Sequence, residues 1–231
     1  MKLAELLVVT GLLGVVSGSA HSQISSTPDG HLFRLKLVKG ATFNYQLTSS
    51  AEGVKLVAPV KFTYTNVAGD VADVSVTSGP AMINGASQAP ANTSKAKINS
   101  MGKPIGKDVD SLGSIAGVIF PARRMKVGES ISQTIPVNFG SQALKVTTVH
   151  KFLGDRKVGI RRAAAFKVTV SATGKMKVEG ENAILSVNGT GTKLFDVTDG
   201  HLLSSNISQT ITTKSKDKKM STTNVVEIIR K

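Results

Sequence analysis

Apolar and polar side chains alternate at every second position through much of this chain, and this pattern constrains its fold more than any other feature. Phe43, Tyr45 and Leu47, for example, are separated by single polar residues. A period of two places such apolar side chains on one face of an extended strand. The clearest alternating segments are 43–47, 60–64, 72–76, 144–149, 166–172, 183–196, 202–213 and 222–229. Turns rich in Gly, Asp, Asn and Ser separate them, which is typical of an antiparallel meander.

The sequence therefore predicts an all-β fold. The alternating segments indicate about ten to thirteen strands, each near the usual length of 5–6 residues. So many strands fit a large antiparallel meander that forms a curved sheet, a partly closed barrel or a sandwich. Residues 89–92 resemble a loop. Residues 108–118 contain apolar residues at helical spacing, so we expect at most one short helix there.

The first twenty residues have the features of an export signal. Lys2 precedes an apolar stretch over 6–16, and Gly18-Ser19-Ala20 supplies the small side chains that a signal peptidase accepts. We expect cleavage after Ala20 and a single antiparallel β domain over 21–231, and we leave open two pseudo-repeated halves that meet near 101–125. No later stretch has the roughly 20 apolar residues of a membrane helix. The sequence therefore predicts an exported protein, periplasmic or extracellular, with no transmembrane segment in its mature chain.

The residue types of the chain give little support for a catalytic site or a metal site. The chain has no cysteine, which excludes disulfides, thiolate zinc sites and a cysteine nucleophile. Of its histidines, His150 lies in an alternating segment and is expected to be half-exposed. His201 follows Asp199-Gly200, a pair that suits a hairpin turn, while Asp196 is expected to close the preceding strand. We therefore expect no catalytic residue, no metal site, no cofactor and no enzymatic activity.

The apolar face of each strand favours a binding or carrier protein for an apolar ligand. A curved sheet can hold or shield such a ligand, and an apolar small molecule or a lipid is the expected partner. Six side chains are candidates to line the site, although all six also suit an ordinary core: Phe43, Tyr45, Phe62, Tyr64, Phe166 and Val168. The leading hypothesis is an exported, non-catalytic binding or carrier protein.

The basic residues support an alternative function. The formal net charge of +14 at pH 7 favours attraction to anionic surfaces and determines no fold. Basic clusters coincide with predicted turns, where they could hold an anionic envelope polymer or lipid headgroups, or deter edge-to-edge pairing of sheets. The candidate anion-binding residues are Arg123, Arg124, Lys126, Arg161 and Arg162. Because aromatic residues are sparse and Trp is absent, specific binding to nucleic acid is not expected.

Three short motifs occur in a fixed order, and the region that they span is most of the chain. They are Lys39-Gly40-Ala41-Thr42-Phe43-Asn44-Tyr45, the turn Val127-Gly128-Glu129 after Pro121, and Gly189-Thr190-Gly191 with Phe195-Asp196 and Gly200. In these motifs the chain resembles a family of exported bacterial β-rich proteins of unknown function. It departs from that family at Ile131, where members often have Trp, and it lacks the lipid-anchored Cys of many members. The resemblance implies export and an antiparallel β fold, and it transfers no activity and no binding residue.

Overall fold

The computed structural model describes residues 21–22, 24–106, 118–139, 142–178, 181–197, 202–216 and 218–231. These residues form strands, turns and loops, with no helix among them. The strands are β1 (His21–Ser22), β2 (Ser25–Thr27), β3 (Gly30–Leu32), β4 (Leu35–Lys36), β5 (Thr42–Ala51), β6 (Val54–Ala68), β7 (Val71–Ser78), β8 (Ala81–Ile83), β9 (Ala86–Ala89), β10 (Asn92–Asn99), β11 (Ser130–Phe139), β12 (Gln142–Val158), β13 (Arg161–Val178), β14 (Glu181–Asp196), β15 (Leu202–Lys214) and β16 (Lys219–Arg230). The all-β prediction is confirmed, and the helix expected near 108–118 falls almost wholly outside the described residues.

Ten of the strands form one continuous antiparallel sheet. Its order is β10-β7-β6-β5-β16-β15-β14-β13-β12-β11, and β8 and β9 attach beside β6. The meander of β5 to β7 joins the meander of β11 to β16 through β5 and β16, which places Leu47 opposite Ile228. The edge strands β10 and β11 do not pair with each other, so the sheet is not closed into a barrel.

The sheet curves around a cover, which consists of residues 30–35 and 118–129. The backbone N–H of Leu35 donates to the carbonyl of Ser100, directly after β10. The ring of Phe33 packs on those of Phe152 in β12 and Phe166 in β13, with centroids 5.2 and 5.3 Å away. In a flat sheet of this order, β10 and β12 would lie about 38 Å apart. Leu35 contacts the end of β10, and Phe33, two residues before it, contacts β12. The two strands are therefore close together, and the sheet is strongly curved.

The strands are longer than the alternation indicates. β12, β13 and β14 contain 17, 18 and 16 residues, so the prediction of strands of about 5–6 residues was wrong for them. The β12–β13 register shifts between Phe152 and Gly154, which lets the ladder continue through a break in the alternation. A bulge of this kind looks like a strand end in the sequence.

The loop expected at residues 89–92 is also shorter than predicted. Ala89 ends β9 and Asn92 begins β10, so only two residues connect these strands. The preceding hairpin of β8 and β9 turns at Asn84 and Gly85, whose φ angles are 49° and 85°. Asn-Gly is the pair that such a tight hairpin turn prefers, so the sequence did contain a signal for it.

The buried apolar side chains form two clusters on the concave face. The first cluster joins the cover to the N-terminal strands and includes Phe33, Phe120 and Met125. The second cluster comes from β12 to β15, with Ile135 of β11 packed at its margin: Leu144, Val146, Val168, Val170, Ala172, Ala183, Leu185, Val187, Ile207 and Ile211. The opposite face of the sheet is polar, with hydroxyl pairs across the strands such as Thr210 with Thr223.

Candidate ligand-binding face

The second apolar cluster lies on the concave face, and strands β12 to β15 supply all of its buried members. Its members Val168, Leu185 and Val187 are fully buried. Within the described ranges the whole cluster comes from strands of one sheet, whereas the cover packs in the first cluster. A sheet buries its apolar face by packing other groups against it, and apolar clusters with a few polar groups are also typical of small-molecule sites.

A band of buried polar side chains crosses the same sheet. Each is at most 5% exposed, and together they run from β12 to β5: His150, Lys193, Ser205, Gln209, Asn224 and Ser49. Lys193 occupies a concave-face position of β14, since it follows Leu185 and Val187 at even spacing. Its cross-strand partner in β15 is Ser205. The band therefore places hydrogen-bonding groups beside the second apolar cluster.

The polar atoms at the β12 end of this band have no hydrogen-bond partner among the described residues. They are both ring nitrogens of His150 and Oγ1 of Thr148, and Oγ of Ser205 in β15 is in the same condition. His150 is 0% exposed, so the expectation of a half-exposed histidine was wrong. Alternation shows which face a residue occupies and not how deeply that face is buried. Since buried polar groups are nearly always paired, these atoms are suited to a polar group of a ligand.

Burial determines the electrostatics of the band. The loss of solvation lowers the pKa of Lys193 to about 8. Burial, and then the neighbouring charge of Lys193, lower the pKa of His150 well below its ordinary value. At neutral pH the site therefore contains a neutral imidazole and a cationic ammonium in an apolar surrounding.

The other end of the band is paired internally. The side-chain amide of Asn224 donates to Oγ of Ser49 at 3.5 Å, and Gln209 is the cross-strand partner of Asn224. These side chains link β15, β16 and β5 across the junction of the two meanders.

Two glycines of β14 lie in the middle of the concave face. A Cβ on Gly189 would come within 2.8 Å of the Cβ of Gln209, and a Cβ on Gly191 would collide with the carbonyl oxygen of Asn206. The glycines therefore let β14 and β15 approach closely where the sheet bends. Gly191 is aligned with His150 of β12 through Val168 in β13, and Lys193 lies two residues further along β14, opposite Phe166.

No protein-family model and no curated protein matches this chain. Among the described residues, no group of three or more His, Asp and Glu side chains could hold a metal ion. The described part of the chain also contains no helix that is long and apolar enough to cross a membrane.

All six predicted lining residues are buried, but they separate into two groups. Phe43, Phe62 and Tyr64 pack on one another with ring centroids 5.2 to 6.4 Å apart, and burial raises the pKa of the Tyr64 phenol. These three, with Tyr45 and Phe166, belong to the first cluster. Val168 alone belongs to the second.

Three of the predicted anion-binding residues lie on the cover. Arg123 forms an ion pair of 2.6 Å with Glu129, and this hydrogen bond lowers the pKa of the Glu129 carboxyl. Arg124 donates to the carbonyl oxygens of Ser25 and Gly30, at 2.7 and 3.1 Å. Lys126 is exposed. Arg123 thus bonds within the cover, and Arg124 connects residues 118–129 to the strands β2 and β3.

The other two predicted anion-binding residues lie at the start of β13. Arg161 pairs with Asp196 at 2.8 Å, and Arg162 pairs with Asp155 at 2.6 Å. Asp196 ends β14 as expected, and it is 1% exposed. The predicted turn with His201 falls at 198–201, outside the described residues. All four arginines among these candidates therefore bond oxygen atoms of the protein.

Sequence reasoning missed Lys193 and Ser205. Lys193 shares the spacing of Leu185 and Val187, and a lysine at an apolar position of an alternating segment was the available signal. Ser205 had no comparable signal, because its burial depends on the neighbouring strand.

Proposed function

We propose that this protein is an exported, non-catalytic carrier that holds an apolar, lipid-like ligand against the concave face of β12 to β15. The observation that carries the proposal is an apolar cluster from one curved sheet with the unpaired polar atoms of His150 beside it. Apolar sites with a few convergent polar groups are typical of small-molecule binding. The resemblance to exported β-rich proteins supports the location.

Attachment to an anionic polymer through the basic turns has less support. The guanidinium groups of Arg123, Arg124, Arg161 and Arg162 all have partners within the protein. An anion would have to compete with these contacts. Surface attraction from the net charge remains compatible with a carrier that meets an anionic membrane.

A pair of single-tryptophan variants tests the carrier function. The chain has no Trp of its own, so each substitution introduces a unique fluorophore. Val170 is buried on the concave face, and Thr169 is exposed on the opposite face. We expect dodecanol that carries bromine on its terminal carbon to quench the indole of Val170→Trp and to leave Thr169→Trp unquenched. This neutral probe makes the test independent of any charged headgroup.

Equal quenching of both folded variants, or of neither, would contradict the carrier function. A tightly packed core would instead make Val170→Trp lose stability, by about 1–3 kcal/mol for overpacking. If Val170→Trp does not fold, a second experiment replaces it, in which hexadecanol displaces a neutral naphthylamine dye from the unmodified protein. Failure of hexadecanol to displace the dye would contradict the proposal. Export is tested by the intact mass of the fractionated protein, which we expect to begin at His21.

A further inference from the structure

We propose that residues 156–162, the hairpin tip between β12 and β13, insert Val158 and Ile160 into an anionic lipid bilayer. The basic residues of the same tip bind the lipid headgroups. The partner is thus a membrane surface that carries negative charge. This inference does not depend on a ligand of the concave face, and either can hold without the other.

The hairpin tip extends beyond both neighbouring strands. On one side β14 ends at Asp196, opposite Ala163, and on the other side β11 begins opposite Lys151. Residues 156–162 are all exposed, whereas residues 163–166 are all buried. The tip therefore projects from the body of the sheet, by about 10 Å for three further residue pairs.

The turn at this tip does not require an apolar residue. Gly159 has a φ angle of 58° and that of Ile160 is not positive, as in a type II′ turn, which needs Gly at its first central position. The turn between β6 and β7 has the same form, because Gly69 has a φ angle of 56° and Asp70 follows it. Since an aspartate suits the second position there, the backbone does not explain the isoleucine.

The apolar side chains of the tip are unusually accessible to solvent. Ile160 is 99% exposed, more than any other large apolar side chain of the described residues, and Val158 is 37% exposed. Single exposed apolar residues are common and need no explanation. Here, however, two of them lie on one projecting tip, whereas three other described hairpins turn at the polar residues Glu52, Asp70 and Asn84, each beside a glycine. The difference indicates a contact surface at this tip.

The charges of the tip favour an anionic bilayer. Arg161 and Arg162 each form an ion pair with an aspartate of the protein. Arg156 and Lys157 are exposed, and the structure shows no hydrogen bond or ion pair from either side chain to another described residue. Apolar residues beside basic ones are typical of segments that bind anionic membranes at their surface. A soluble polyanion would use the cations and leave the apolar side chains in water, so a bilayer is the better fit.

Two single-tryptophan variants test the insertion. Ile160→Trp places a unique fluorophore at the tip, and Lys216→Trp places it in the exposed basic hairpin at the opposite end of the strands. The vesicles contain phosphatidylcholine with brominated acyl chains, with or without phosphatidylglycerol. We expect the vesicles with phosphatidylglycerol to quench Ile160→Trp and to leave Lys216→Trp unquenched. Equal quenching of the two variants, or no quenching of Ile160→Trp, would overturn the proposal.

Co-sedimentation with phosphatidylglycerol vesicles measures binding without an added aromatic ring. We expect Ile160→Ser to bind about tenfold more weakly than the unmodified protein, because less apolar surface leaves water. Gly-Ser is a common pair in such turns, so this variant should fold. The double variant Arg156→Gln with Lys157→Gln should also bind about tenfold more weakly or worse. Its matched control, Lys214→Gln with Lys216→Gln, removes two charges far from the tip and should weaken binding by less than about threefold, because salt screens distant charges.

The alternative explanations give different results. If Ile160→Ser binds the vesicles like the unmodified protein, or if the two double variants are weakened equally, net charge alone causes the binding and the docking hairpin is overturned. Absence of binding to the anionic vesicles overturns it as well. Dextran sulfate represents a soluble polyanion, and we expect Ile160→Ser and the unmodified protein to bind it equally. A tenfold loss there too would show that Ile160 acts without a bilayer, which would contradict the proposal. All substituted positions are exposed, so each variant should keep the melting temperature of the unmodified protein.

Discussion

The ionisable side chains of the concave face are in environments that oppose their charged forms. Burial alone lowers the pKa of Lys193 to about 8, and it lowers the pKa of His150 further with the help of Lys193. An apolar residue at either position would avoid these costs. Groups retained against stability in this way are typical of binding sites.

The pH dependence of stability tests this description of Lys193. Its pKa is about 8 in the folded protein and 10.5 when unfolded, so between these values the unfolded chain binds more protons. The contribution of Lys193 to the free energy of unfolding therefore rises with pH across this window, by about 3 kcal/mol in total. In urea unfolding at pH 7 we expect Lys193→Met to be more stable than the unmodified protein, and the difference should shrink by pH 10.5. A constant difference would show that Lys193 has an ordinary pKa.

The alternating segments of the sequence predict the strands of this protein well, but they predict poorly how deeply each side chain is buried. The segments at 183–196 and 202–213 match β14 and β15 closely, because period two is a local property. The burial of His150 could not be predicted in the same way, since it depends on the curvature of the whole sheet. The continuation of β12 past Phe152 was missed because a bulge interrupts the period there.

A substitution at Gly191 tests the close approach of β14 and β15. Any Cβ at this position would collide with the backbone of Asn206. We expect Gly191→Val to lower the free energy of unfolding by about 2 kcal/mol or more, because backbone must move to accept it. Thr190→Val, on the exposed face of the same strand, should change it by less than about 0.5 kcal/mol. Equal effects of the two variants in urea unfolding would contradict the close approach.

At the scale of the whole molecule, one non-local pairing and one cover determine the shape. β5 pairs with β16, so the strand nearest the start of the sheet-forming chain lies beside the last. The position of residues 30–35 and 118–129 over the sheet depends on contacts between distant residues, such as Phe33 with Phe152. Neither the pairing nor the position of the cover has a local sequence signal, which is why the sequence left a curved sheet, a partly closed barrel and a sandwich open.

Native mass spectrometry of the gently purified protein tests whether the concave face of β12 to β15 holds an apolar ligand. We expect a one-to-one adduct whose mass fits an amphiphile with an acyl-type chain, or formation of such an adduct when palmitate or hexadecanol is added. The adduct should disappear on unfolding, because the binding face exists only in the folded sheet. A protein that remains at its bare mass with both compounds present would contradict the carrier function.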